Sequence, residues 1–392
     1  MRTTTRTTMR TASSRQAAQA ARTTERVKQE AIRLAQEGLD APTLRAEAVA
    51  LIERAIPTAA TCCLTTDPAT VLLTGGNVHT FRPEAIPALV SNEYLQDDFI
   101  KFRDLATLRQ PVSTLHIATR GNPTRSRRFR EVLEPYGLGN ELRVVFRSGG
   151  AAWGAMCLHR EAGNQDFTDA DVACIAAIAP HLAAGLRRAV LLDTAENEPA
   201  ARAPGLLLLA DDLTVLSATP AAELLLAEIS ANGYWPRGDA LPVPVCTAAA
   251  KLQALGRETQ SGACEIPCVR LRTRAGRWLA LHASRMSQAA DQIAIIIEQA
   301  TPNDVAPYVL RAYVLTAREQ EVATLVLKGL STEDISVRLC ISTLTVQQHL
   351  KAIFEKVGVR SRRELVARIY ARSFWPAMAS EYGLSPTAWS PA

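Results

Sequence analysis

Four helix signatures in succession, between Leu315 and Tyr370, limit what this chain can fold into more than any other stretch. Thr316 with Glu319 has capping-box spacing, and Val322, Leu325 and Val326 follow at helical period up to Gly329, a helix-ending residue. Ser331 with Asp334 opens a second, short helix that carries Ile335 and Leu339. Ser342 opens a third, which runs to Lys356 before Gly358. Ser361 with Glu364 opens a fourth, with Leu365, Val366 and Ile369. Only Cys340-Ile341-Ser342 separates the second helix from the third, the short turn of a helix-turn-helix.

The third helix has two unlike faces. At 3.6 residues per turn, Val346, Leu350, Ile353 and Val357 stack on one side. Leu344, Gln348, Lys351 and Glu355 fall on the other, with Gln347 on its flank. Gln bonds adenine N6 and N7 in a bidentate way, and Lys meets guanine or phosphate, so the polar face suits a major groove. Thr343 and Thr345 sit in the first turn, where free backbone N–H groups favour a phosphate. Caps, turn length and polar face agree, which a bundle with a merely solvated face does not require.

Leu315-Thr316-Ala317-Arg318-Glu319-Gln320-Glu321-Val322, Lys328-Gly329-Leu330-Ser331, Ile341-Ser342-Thr343-Leu344-Thr345-Val346-Gln347-Gln348-His349 and Lys356-Val357-Gly358-Val359-Arg360-Ser361-Arg362 together resemble the LuxR-type DNA-binding domain. The resemblance covers about the last sixth of the chain. It implies a four-helix DNA-binding domain whose third helix enters the major groove and whose fourth pairs in a dimer. On that basis the expected DNA contacts are Ser342, Thr343, Leu344, Thr345, Gln347, Gln348, Lys351, Arg360 and Arg362, and the expected dimer contacts are Leu365, Val366 and Ile369. Leu344 and Gln347 stand where the family commonly has Lys. Fewer cations weaken the salt-dependent phosphate contribution and leave Leu344 to meet a thymine methyl.

The charge is placed unevenly. From Leu310 to Arg372 there are 11 Lys and Arg against 6 Asp and Glu, a net +5 equal to that of the whole chain. Residues 1–24 hold Arg and no acid, so the middle is mildly acidic. At 392 residues the chain holds two to four domains. None of its eight cysteines forms a C-x-x-C pair, and most lie in apolar runs, which fits a reduced, cytoplasmic protein. Cys264 and Cys268 would lie about 13 Å apart along a strand, too far to share a metal. No uncharged apolar run reaches membrane-spanning length, so no membrane partner is expected.

In chain order, residues 1–24 read as a disordered basic tail and 25–40 as a helical connection or dimer contact. Residues 41–194 read as an α/β domain. A helix at 41–55 precedes strands at 61–65 and 70–74, with a turn at Gly75-Gly76-Asn77. Helices near 83–95 and 98–108, a strand at 112–118 and a short helix at 128–133 follow. A hairpin around Ser148-Gly149-Gly150 and a long helix from Thr168 to about Leu192 complete it. This order, with Glu141-Leu142-Arg143-Val144-Val145-Phe146 and Trp153-Gly154-Ala155-Met156-Cys157-Leu158-His159-Arg160, resembles the GAF-type sensors that precede LuxR-type domains in actinobacterial regulators. Residues 195–204 read as a linker. Residues 205–302 give two strands, helices and a three-stranded meander. With the Gly205-Leu206-Leu207-Leu208-Leu209-Ala210-Asp211-Asp212 opening and the helix start at Ala218-Thr219-Pro220-Ala221-Ala222-Glu223, that order resembles a PAS domain. Residues 303–308 link to the DNA-binding domain at 308–373, and 374–392 form a tail. The expected class is α+β multidomain: a GAF-like α/β sensor, a PAS-like α/β domain and an all-α helix-turn-helix domain.

Nucleotide, zinc-protease and serine-hydrolase motifs are absent. Asp211-Asp212 is not the acidic pair of a phospho-receiver, because Asp239 follows the loop Pro236-Arg237-Gly238 instead of an apolar strand and Lys251 lies too close behind it. The six histidines are scattered, so no metal site is expected and any cofactor stays unknown. The reading is a bacterial, non-enzymatic regulator of transcription that binds double-stranded DNA as a homodimer. RNA polymerase is a further possible partner, and a small ligand would sit in the GAF-like or PAS-like domain. In the alternative, those two domains serve only oligomerisation or protein contacts.

Overall fold

The computed structural model of the chain describes residues 4–79, 83–192, 203–231, 241–258, 267–287 and 291–370. The tail at 374–392, Cys264 and nearly all of the linker at 195–204 fall outside them.

The chain opens with α1 (Thr4–Gln36). The expected disordered tail is therefore helical from Thr4 onward. Gln16-Ala17-Ala18-Gln19-Ala20-Ala21 is a run of strong helix formers, which outweighed the polar composition. Val27, Ala31 and Leu34 are buried against this chain's own α6 (Asp169–Val190), so that face of α1 is neither a free connection nor a dimer contact. α2 (Ala41–Ala55) is capped by Asp40, which accepts from the Thr43 N–H at 2.7 Å.

The first sheet holds β1 (Ala60–Thr66), β2 (Leu73–His79), β3 (Val112–Thr114), β4 (Leu138–Ser148) and β5 (Ala151–Glu161). It is antiparallel, in the order β2-β1-β5-β4-β3. Between β2 and β4 run α3 (Ile86–Leu95) and the single turns α4 (Phe102–Leu105) and α5 (Leu115–Ala118). The helix expected at 98–108 shrinks to one turn, and the strand at 112–118 ends early in α5. The glycine pair expected in a turn lies inside β2, with Gly75 opposite Thr65 and Gly76 opposite Leu64. A side chain at Gly76 would stand 2.3 Å from Leu64 Cδ2, so the residue serves a close approach rather than a bend. The turn itself is made by Asp67, whose Oδ1 accepts from Ala69 N at 2.8 Å.

α6 starts at the Thr168/Asp171 capping box and covers one sheet face with α2, and α1 packs over both helices. It is long and apolar enough to cross a membrane by composition, yet Ile175, Ile178, Leu182 and Leu186 are buried in the core.

The second sheet holds β6 (Gly205–Ala210), β7 (Val215–Ala218), β8 (Cys268–Arg272), β9 (Trp278–Arg285) and β10 (Gln292–Gln299). Its order is β7-β6-β10-β9-β8. Counted within each domain, both sheets run second, first, fifth, fourth, third. α7 (Pro220–Ser230) and α8 (Val243–Glu258) lie between β7 and β8 in the chain, and α8 also packs on α3 and β2 of the first domain.

The link expected at 303–308 is a helix, α9 (Pro302–Ala312), opened by a Thr301/Asp304 capping box. Pro307 inside it reads as a breaker in the sequence. Burial of Val305, Val309 and Leu310 outweighs the lost N–H. α9 fastens the domains together. Tyr308 stands edge-on to Trp153 of the first domain (6.0 Å between centroids) and to Trp278 of the second (4.9 Å). Arg187 on α6 donates to Ala312 O at 2.7 Å, at the end of α9. Arg272 on β8 donates to Ala189 O, Val190 O and Leu192 O, satisfying the last carbonyls of α6.

Candidate nucleic-acid interface

The C-terminal bundle comprises α10 (Ala317–Leu327), α11 (Thr332–Leu339), α12 (Thr343–Val357) and α13 (362–370). The sequence caps are in place. Thr316/Glu319 and Ser331/Asp334 form reciprocal boxes, and the Ser342 hydroxyl accepts from Thr345 N at 3.0 Å. The Ser331 hydroxyl and N–H hold the Asp334 carboxyl below the usual range. Cys340 takes the left-handed conformation (φ 53, ψ 46) that turns the chain from α11 into α12.

Val322, Ile335, Val346, Leu350, Ile353, Leu365 and Ile369 form the core of this bundle. Two further ties set the helix angles. Glu319 accepts from Lys356 at 2.6 Å as well as from Thr316 N at 2.7 Å, joining α10 to α12. Burial opposes the Glu319 charge, but Lys356 and the Thr316 N–H outweigh it and lower its pKa. Arg318 donates to Leu339 O at 2.7 Å, closing the C-terminus of α11.

The structure brings Ser342, Thr343, Leu344, Gln347, Gln348 and Lys351 to solvent on α12, with Leu344 64% exposed. Arg360 is exposed just beyond that helix. Two expected contacts are engaged elsewhere. Thr345 is half-buried, its hydroxyl 2.8 Å from that of Ser342. Arg362 donates to Leu330 O at 2.8 Å and so braces the α10–α11 turn. The expected dimer set also needs correction. Leu365 and Ile369 are 0% and 1% exposed and fill the bundle core, while only Val366 reaches the surface in part. A short helix closing a bundle needs that apolar pair for its own packing. Sequence reading missed Val337, 79% exposed on α11. Its position next to the α11 core face hides it in a helical-period pattern.

This arrangement is a four-helix helix-turn-helix domain, with a capped, exposed polar helix in the recognition position. Residues 313–369 match the luxR family of bacterial regulatory proteins (GerE). Spore germination protein GerE of Bacillus subtilis is 36% identical over 55 residues, which are 14% of this chain and 74% of that protein. The chain belongs to the luxR family. An HTH-type transcriptional regulator of Mycobacterium tuberculosis is 48% identical over 52 residues, 13% of this chain and only 6% of that protein's length. The monoamine regulon transcriptional regulator of Klebsiella aerogenes is 44% identical over 57 residues, 14% of this chain and 25% of that protein. Among solved structures, a Vibrio cholerae VqmA–ligand–DNA complex covers 44% of this chain and 84% of its own at 22% identity and TM-score 0.21. The bacteriophytochrome RpBphP3 of R. palustris covers 70% and 62% at 15% identity and TM-score 0.28.

Proposed function

We propose that this chain regulates transcription by binding double-stranded DNA through α12, and that its two α/β domains set the state of the bundle in response to a signal. The observation that carries the reading is the division of α12. Val346, Leu350, Ile353 and Val357 are buried, while Thr343, Leu344, Gln347, Gln348 and Lys351 are exposed along the opposite side. The net +5 of the stretch from Leu310 to Arg372 supplies phosphate attraction.

The GAF-like and PAS-like domains act as sensors in this reading rather than as a tether. α6 touches both the second domain, through Arg272, and α9, through Arg187, so a change in the first domain meets the DNA-binding bundle across one helix. A signal shifts DNA affinity only through unequal binding to two states, typically by about 1–3 kcal/mol. The protein works as a cytoplasmic homodimer, with Val366 and its neighbours on α13 at the contact.

Enrichment of random duplexes on the full-length chain tests the reading. Recovery of a motif with two half-sites about 10 base pairs apart is expected. Binding that is weak and equal for every duplex would refute it.

A further inference from the structure

The second sheet is apolar on both faces. Leu207, Leu209, Ile293, Ile295 and Ile297 are buried on the side of α7 and α8. Side chains alternate along a strand, so Leu206 and Leu208 on β6 and Ala294 and Ile296 on β10 belong to the other face. The register sets Leu206 beside Ile296 and Leu208 beside Ala294, and the four form one patch. An antiparallel sheet with a solvated face carries polar residues at such positions. The Leu run of β6 and the Ile run of β10 instead have the pattern of strands covered on both sides.

One end of this face is covered. Trp278, Ala280 and Ala300 are buried there with Val305 and Tyr308 of α9. The rest is open among the described residues, with Leu206 45% and Ile296 40% exposed. The patch runs out to the edge strand β7, where Val215 and Leu216 are exposed as well. Leu216 is the extra residue of a bulge, because Val215 lies opposite Leu209 and Ser217 opposite Leu208.

Charge narrows what can cover the open part. His282 stands opposite Ile296, and its Nε2 lies 3.4 Å from Glu298 Oε1 on the next strand. Arg285 and Asp211, at the ends of β9 and β6, form a second ion pair. Both bordering carboxylates are engaged within the chain, so a strongly charged partner meets no free counter-charge. A second copy brings the same closed pairs around the same apolar centre, as a two-fold contact requires. Two half-sites also call for two copies, while Leu365 and Ile369, which the sequence marks for pairing, are buried in the bundle core.

We propose that two copies of this chain associate through the open part of the second sheet, with Leu206, Leu208 and Ile296 at the centre and Leu216 at the rim. This rests on the homodimer reading above and names a contact surface for it. Area sets the strength. The patch spans four strands and the six residues of β6, roughly 15 by 20 Å or about 300 Å². That is less than half of the ~800 Å² per partner of a standard interface. The association is therefore weak and reversible, and a duplex with two half-sites strengthens it by holding both copies together.

The test is sedimentation equilibrium of the full-length chain without DNA, over a wide range of concentration. The average mass is expected to rise from one chain toward two. Leu206→Lys and Ile296→Lys each put a charge into the apolar centre and are expected to weaken association about tenfold or more. Ile296→Thr keeps the β-branch that suits a strand, loses apolar surface and is expected to weaken it as well, which covers a Lys variant that fails to fold. Leu224→Lys is the control. Leu224 is exposed too, but on α7 at the other side of the sheet, and its change is expected to leave association as it was. A wild type that stays monomeric, folded Leu206 and Ile296 variants that associate like it, or an equal loss at Leu224 would each overturn the proposal. So would a monomer whose melting temperature falls with Ile296→Thr, because the chain would then cover this face itself. Association lost with Val366→Lys and untouched by the Ile296 variants would keep the homodimer on α13 and remove this surface. No DNA enters the readout, so a negative result leaves the duplex enrichment to decide the DNA-binding reading.

Discussion

The Tyr308 hydroxyl donates to the backbone carbonyl of Thr66 at 3.2 Å, across 242 positions of sequence. One residue of α9 thereby reaches β1 while its ring meets Trp153 and Trp278. Burial raises the Tyr308 pKa well above the ordinary phenol value, so it remains a donor throughout the working range. Tyr308→Phe loses one hydrogen bond and leaves the Thr66 carbonyl without it, an expected cost of about 0.5–1.5 kcal/mol. Tyr308→Ala also empties the space between two tryptophans, about 3–5 kcal/mol. Urea denaturation followed by tryptophan fluorescence checks both. Equal, negligible losses in the two variants would show that α9 does not fasten the domains.

Cys340 holds a left-handed backbone without being glycine. That conformation costs an L-residue about 1–2 kcal/mol. Cys340→Gly removes the strain but loosens the unfolded chain, so a net gain of about 0.5–1 kcal/mol is expected. Cys340→Val adds a β-branch at positive φ and is expected to destabilise. Thermal melts of the two variants should move in opposite directions, and a shift of the same sign in both would contradict the strain argument.

Glu141 is wholly buried between Arg128, at 2.7 Å, and Arg143, at 3.0 Å. Burial alone would raise its pKa, but the two guanidiniums outweigh it and hold the carboxyl well below the usual carboxylate range. The folded value therefore lies below the unfolded value of about 4.3. Its contribution is complete above that unfolded value and is lost as pH falls through the folded one. Glu141→Gln leaves two buried cations short of a counter-charge, an expected loss of about 3–5 kcal/mol near neutral pH. The same variant should show a shallower fall in stability below about pH 4. An acid limb as steep as the wild type's would mean that other carboxylates govern it.

The C-terminal bundle was legible because its signals are local. Thr316/Glu319, Ser331/Asp334 and Ser342 cap within three residues, and α12 sorts its own faces by period. The second sheet was legible as a succession of elements for the same reason, two strands ahead of the helices and a three-stranded meander after them. What sequence reading missed depends on distant partners. Gly75 and Gly76 look like a turn until Leu64 is known to lie across from them. α9 looks like a linker because Pro307 is visible and its apolar bed is not. Leu365 and Ile369 look like a spare apolar face because nothing local shows that the bundle needs them. The charged cluster around Arg143 draws on Glu93, Arg128 and Glu141, from three separate elements, and no spacing rule connects them.

Gln348 and Lys351 separate the two ways in which α12 meets DNA. Both are exposed on the face opposite Val346, Leu350 and Ile353, so neither contributes to the bundle core. Gln348 has the reach and the paired donor and acceptor to read an adenine edge. Its change to Ala is expected to cost about 1–3 kcal/mol on the preferred duplex and to relax preference at one position. Lys351 acts through charge. Its change to Ala is expected to lower affinity for preferred and random duplexes alike and to reduce the salt slope by about 1. The checking measurement is a set of binding titrations for both variants on both duplexes, at three or more salt concentrations. Full affinity in both variants would remove α12 from the interface. A Gln348 variant that lost affinity equally on every duplex would place that residue on phosphate instead of base.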